Sequence, residues 1–127
     1  MPEPVVFISE FRVRTGAELP LRRTFAETVE LIQSSKPDTA LFAAYFDASG
    51  STVRFVHAFP DGEALRRHFE GADDRADAVA DMLEPVAFEL YGDTPRESVD
   101  QLRRDADASG AELRLFPAAM GGFLRTP

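Results

Sequence analysis

The sequence predicts an α+β fold: an antiparallel sheet with helices laid on one face. Three observations predict it. Short runs rich in β-branched and aromatic residues alternate with longer segments whose apolar residues recur every three or four positions. Breaks rich in Gly, Pro and Asp separate them. The 127 residues, 44% hydrophobic and 28% charged, suit one domain with one core.

Val5 to Arg14 reads as the first strand, and Gly16 ends it. The first helix runs from about Glu18 to Ser35, with Leu21, Phe25, Val29 and Ile32 as its apolar stripe. Pro20 fits its first turn, where no backbone donor is needed. Lys36-Pro37-Asp38 stops it. Strand two covers about Thr39 to Asp47. The turn-rich linker Ala48-Ser49-Gly50-Ser51 predicts a hairpin to strand three, Thr52 to Phe59.

Pro60-Asp61-Gly62 closes that strand, with Asp61 as N-cap of a second helix. Leu65, His68, Phe69 and Ala72 share one face of this helix, and Gly71 breaks it. A second helical piece follows from Asp73 to Leu83, until Pro85 forbids continuation. Strand four is Val86 to Tyr91. Thr94 and Glu97 have capping-box spacing, and Pro95 suits a first helical position. They open a helix to about Ala108, presenting Val99, Leu102 and Ala106. Gly110 stops it, and a last strand from Glu112 to Phe116 leads into the tail.

The order β-α-β-β-α-β, then α-β, begins as a ferredoxin-like split βαβ arrangement. The expectation is a single domain over residues 1–127. Its core is about 4–92, its added helix and strand about 93–117, and all five strands are antiparallel.

These strands do not alternate cleanly between apolar and polar. Leu41, Ala43 and Tyr45 oppose Phe42, Ala44 and Phe46, so both faces of the sheet want cover. The simplest cover for the helix-free face is a second copy related by a two-fold axis. Phe11, Phe42 and Phe46 are the residues expected at that interface. The rival cover is the added helix and the C-terminal tail.

Composition bounds the partners. The net charge is −8, and thirteen arginines and one lysine are scattered or paired among acids. That excludes a basic stripe for nucleic acid or an anionic membrane. With no cysteine, disulfides, thiolate chemistry and Cys-ligated metals are excluded. The N-terminus reads as a strand rather than a leader, and no apolar run is long enough to span a bilayer. A soluble cytoplasmic protein is expected.

Few residues carry chemistry. His68 lies on an apolar helix stripe, as either a core-edge histidine or a pocket acid/base. His57 alternates with Phe55 and Phe59 and shares their face. If that face meets the second helix, both histidines line one cavity, with Tyr45, Phe55, Phe59 and Leu65 as further lining. Two histidines without a placed carboxylate are a weak metal signal, so no metal is expected. Asp73, Asp77 and Asp81 read as a solvated helix face, and no phosphate-binding glycine loop is present.

The run Phe59-Pro60-Asp61-Gly62-Glu63-Ala64-Leu65-Arg66-Arg67-His68 resembles antibiotic-biosynthesis-monooxygenase-like domains, including quinol monooxygenases, in the dimeric α+β barrel superfamily. Tyr91-Gly92-Asp93-Thr94-Pro95 and Gly121-Gly122-Phe123-Leu124-Arg125 are similar to a subgroup with an extra helix and strand. The resemblance implies a homodimer through the helix-free face. It also implies a cofactor-independent monooxygenase acting on a small hydrophobic aromatic or quinol-like molecule, with His68 as a catalytic residue, to which alternation along strand three adds His57 as a second. Strand three departs from the pattern, since His57 stands where a glutamate is common. The chain has no Asn and no Trp, so the Asn-Trp-His set of the haem-degrading branch is not supported. The residues by themselves leave open a non-catalytic binding module or a purely structural homodimer.

Overall fold

The computed structural model describes residues 3–125. Along the chain run β1 (Val5–Val13), α1 (Glu18–Ser35), β2 (Leu41–Phe46), β3 (Thr52–Phe59), α2 (Gly62–Phe69), α3 (Ala72–Val79), β4 (Leu83–Tyr91), α4 (Arg96–Ser109) and β5 (Glu112–Phe116). They build one five-stranded sheet in the order β2-β3-β1-β4-β5. The first four strands are antiparallel neighbours in the ferredoxin-like order.

The fifth strand corrects the expectation of a wholly antiparallel sheet. β5 runs parallel to β4, pairing Ala87 with Glu112 through Tyr91 with Phe116, so the sheet is mixed. The physical reason is α4. A helix between neighbouring strands returns the chain to the end where it started, which makes the two strands parallel.

Local chemistry sets most boundaries. Asp61 accepts a hydrogen bond from the Ala64 amide at 2.9 Å and caps α2. Gly71, at φ 79°, takes the left-handed conformation that separates α2 from α3. The capping box expected at Thr94 does not form. Pro95 occupies the N-cap position of α4, and no side chain caps that helix. Pro85 lies inside β4 rather than before it. β5 covers β4 only from Ala87 onward, so at Pro85 that flank of the strand is an edge, where a missing N–H is tolerated.

The helices and the core occupy one side of the sheet. Val5, Phe7, Phe59, Phe88 and Leu90 from the strands meet Ala64 and Leu65 of α2 and Leu102 and Ala106 of α4. A second cluster joins Leu21 of α1 to Val53 and Leu83. A register shift at Glu10/Phe11 leaves Val86 without a partner on β1, and Val86 then lines a small depression on the opposite side together with Ala87. Strict alternation along the strand would have put Val86 with Phe88 and Leu90.

The helix-free side carries Ile8, Glu10, Arg54, Val86, Ala87, Glu89 and Arg114 at its centre. Arg54 pairs with Glu10 at 2.6 Å and Arg114 with Glu89 at 2.8 Å. Tyr91 and Phe116 stack beside them at 5.0 Å. Phe11, Phe42 and Phe46 are not on this side. Phe11 and Phe46 pack with the Leu21 cluster, and Phe42 stacks on Phe25 of α1 at 5.2 Å. Nor does α4 cover the free face, since Leu102 and Ala106 belong to the core on the other side. Among the described residues, Met120 and Phe123 of the tail are exposed, and no helix is long and apolar enough to cross a membrane.

Candidate functional site

A cavity of about 410 Å³ lies between the sheet and the helices. Phe7 and Phe11 of β1, Phe42 of β2, Phe55 of β3 and Phe88 of β4 line it from the sheet. Phe25 of α1, Phe69 of α2 and Leu102 of α4 line it from the helices. Alternation along β3 aims Phe55 and His57 inward, and the position of His68 on the apolar face of α2 brings it to the same wall. Both histidines are buried, at 5% and 3% exposed. Their ring centroids are 5.0 Å apart, edge to face at 71°.

Each imidazole is held through Nδ1. His57 Nδ1 sits 3.0 Å from the Phe7 carbonyl oxygen, and the Phe7 ring stacks on the imidazole at 5.0 Å. His68 Nδ1 sits 3.0 Å from Thr39 Oγ1. Neither Nε2 has a hydrogen-bond partner among the described residues, and no fully buried side-chain nitrogen or oxygen there lacks one. Each Nε2 therefore keeps accessible surface, and both residues border the cavity.

Burial disfavours charge on both rings. It lowers His57 from 6.5 to about 4, against a smaller opposing effect of the hydrogen bond to Phe7. His68 falls to about 2, first through burial and then through the charges of His57, Arg75 and Lys36. At neutral pH the wall therefore presents two uncharged imidazoles in apolar surroundings.

Polar groups gather where the cavity meets solvent. Asp73 and Asp77 of α3 and Gln101, Asp105 and Ser109 of α4 stand at this mouth. Burial, then the charge of Asp73, raises the Asp105 carboxyl above its ordinary value. Arg75, also on the lining, donates to the carbonyls of His68 and Glu70 at the end of α2. Among the described residues no group of three or more His, Asp or Glu side chains is arranged to hold a metal ion.

Of the residues expected from the sequence, His57, His68 and Phe55 meet at the cavity. Phe59 and Leu65 lie one layer deeper, each 0% exposed, with Phe59 packed 5.2 Å from the His68 ring. Tyr45 is misplaced by the sequence. It is 61% exposed and alternates away from Phe42, Ala44 and Phe46, so it belongs to the helix-free face. The sequence reading missed Thr39, Arg75 and the α4 residues. Gln101 and Asp105 are four apart on one helical face, a spacing visible in the sequence but attributable to solvent exposure.

The fold and this cavity define a class: a small ferredoxin-like α+β domain with a chamber between sheet and helices. Its structural neighbours include proteins named as candidate antibiotic biosynthesis monooxygenases, in keeping with the resemblance read from the sequence. MupZ from Pseudomonas fluorescens superposes with a TM-score of 0.72 at 18% identity, covering 98% of this chain and 91% of that one. SnoaB from Streptomyces nogalater, a cofactor-independent oxygenase, gives 0.61 at 21% identity, covering 74% and 94%. A Caulobacter crescentus protein named as a candidate antibiotic biosynthesis monooxygenase gives 0.62 at 11% identity, covering 70% and 88%. The likeness to MupZ thus takes in α4 and β5. At these identities the likeness is one of fold. No protein-family model matches the chain, and no curated protein matches it in sequence.

Proposed function

We propose that this protein is a cofactor-independent monooxygenase, acting in the cytoplasm as a homodimer on a small hydrophobic aromatic or quinol-like substrate. The observation that carries the reading is the pair of neutral imidazoles, His57 and His68, bordering one otherwise apolar cavity. The fold shared with SnoaB supports it.

The chemistry asks for little beyond such a wall. A phenolic substrate gives its hydroxyl proton to one imidazole. The phenolate passes one electron to dissolved dioxygen, and the resulting superoxide and aryloxyl radical combine at a ring carbon para to the oxygen. The peroxide anion so formed takes the imidazolium proton to become a hydroperoxide, the ring C–H proton then passes to the freed imidazole, the O–O bond breaks, and hydroxide leaves. Hydroxide takes back a proton to become water, and the ring becomes a quinone. One oxygen atom enters the product and one enters water, and dioxygen receives four electrons from the substrate.

Low basicity sets a condition on the first step. An imidazolium is unfavourable in this dry wall unless the phenolate formed beside it compensates the charge. Proton transfer is therefore coupled to a bound, correctly placed substrate. A dry chamber also raises the energy of a bare phenolate, so the paired imidazolium matters for reactivity.

The helix-free face supports the dimer. Ile8, Val86, Tyr91 and Phe116 form apolar surface around two ion pairs that cross neighbouring strands. Charges already neutralised in pairs are compatible with burial against a second copy.

Oxygen uptake with a panel of hydroquinones and polycyclic phenols tests the catalytic reading. Uptake that requires both protein and phenol supports it. Tight binding without uptake favours a binding module, the reading that the low basicity of both imidazoles supports.

A further inference from the structure

The two imidazoles are not equivalent, and the difference is built by their Nδ1 partners. A carbonyl oxygen only accepts. His57 Nδ1, 3.0 Å from the Phe7 carbonyl, must therefore carry its proton, and in a neutral ring Nε2 is then a bare lone pair. His68 Nδ1 faces a hydroxyl instead, Thr39 Oγ1 at 3.0 Å. A hydroxyl can donate as well as accept, and among the described residues this one has no other acceptor, which favours donation to His68 Nδ1. The neutral ring of His68 then carries its proton on Nε2.

Thr39 is held firmly enough to impose this. The segment before β2 is clipped to α2 at three places. Lys36 Nζ donates to the Arg67 carbonyl at 2.7 Å, Arg67 donates to the Asp38 carboxylate at 2.8 Å, and Thr39 meets His68.

We infer that His57 and His68 are fixed in opposite tautomers, giving the cavity one acceptor and one donor nitrogen side by side, with Thr39 as the positioning residue that sets the donor. This pair selects an oxygen that gives a proton and accepts another: a phenol, enol or hydroquinone hydroxyl. A carboxylate meets the His57 lone pair with its own. An ether gives nothing to His57, and an ammonium leaves the His68 Nε2–H without an acceptor. A buried polar group left unpaired is costly, so rejection is strong. The inference rests on the cavity being the ligand site proposed above, and it does not depend on the oxygen chemistry.

Long-range ¹⁵N–¹H spectra of the histidine rings at neutral pH read the tautomers directly. The expected result is Nδ1–H for His57 and Nε2–H for His68. Thr39→Val should shift His68 toward a tautomer mixture and leave His57 unchanged, while Thr39→Ser should restore the wild-type pattern. The same tautomer on both rings, or a His68 signal indifferent to Thr39→Val, overturns the inference whatever the turnover. Calorimetry with naphthol, methoxynaphthalene and naphthoate tests the ligand class. Naphthol should bind at least about tenfold tighter than either, the equivalent of one hydrogen bond. Thr39→Val should reduce that ratio. Equal affinity for the three, or no binding of naphthol, overturns the ligand class. Opposite tautomers and naphthol preference without oxygen uptake would retain this inference and remove the oxygenase reading.

Discussion

The imidazole rings of His57 and His68 meet edge to face, their centroids 5.0 Å apart, although one ring stands on β3 and the other on α2. Each is turned so that Nδ1 is tied to the scaffold and Nε2 has no partner among the described residues. Among the described residues, the two buried imidazoles and the partly buried Arg75 bring titratable nitrogen to an otherwise largely apolar wall.

That burial predicts a stability that depends on acidity. Folded-state values below 6.5 mean that the unfolded chain binds protons that the folded chain refuses. Stability is therefore complete above about pH 6.5 and falls through about 4 for His57, continuing toward about 2 for His68. For His57 the drop from 6.5 to about 4 corresponds to about 3 kcal/mol. Thermal melts from pH 7 to 4 should show a steeper fall for wild type than for His57→Phe. Parallel curves would show that the histidines do not carry the dependence.

If a phenolic substrate is turned over, His68→Ala should lower kcat by about 10²- to 10³-fold, because its Nε2–H stabilises the phenolate whose proton His57 takes. Its stability should change by only about 0.5–3 kcal/mol. Melts and oxygen uptake on the same preparation decide it. A folded variant with wild-type turnover would reduce His68 to a packing residue.

Ile8 and Val56 are paired across β1 and β3, and Ile8 lines the helix-free face. An unpaired carboxylate buried there on dimerisation would be costly. Ile8→Asp and Val56→Asp should therefore sediment as folded monomers while wild type sediments as a dimer. Phe42→Asp should unfold the chain instead, since Phe42 packs between Phe25 and the histidines. A wild-type monomer at micromolar concentration would remove the dimer from the proposal.

Gly62 begins α2 against the loop that precedes α4. A β-carbon there would stand 2.7 Å from the Asp93 carbonyl oxygen and 3.1 Å from the Thr94 Cα. Backbone atoms cannot swing aside as a side-chain tip can. Gly62→Ala should cost about 1–3 kcal/mol in denaturant unfolding. An unchanged midpoint would mean that the Asp93–Thr94 loop yields freely.

The sequence by itself determined the elements and their order. The apolar stripe of α1, the Asp61 cap and the break at Gly71 are local signals, written in residues a few positions apart. They place His68 on the inner face of its helix and His57 in step with Phe55. The direction of β5 was also within reach, because a helix between adjacent strands implies a parallel pair.

Tertiary structure alone decided which face of each strand is inside. Alternation divides β2 into two apolar sets and does not say which one meets the helices. Hence Tyr45 was expected in the cavity but lies on the free face, while Phe11, Phe42 and Phe46 were expected on the free face but line the core. The Nδ1 partners were equally out of reach. Phe7 and Thr39 approach His57 and His68 through strand register and helix docking, contacts spanning 50 and 29 positions that no local pattern encodes. Period and propensity act along the chain, whereas the chemistry of this cavity is set by what packs across it.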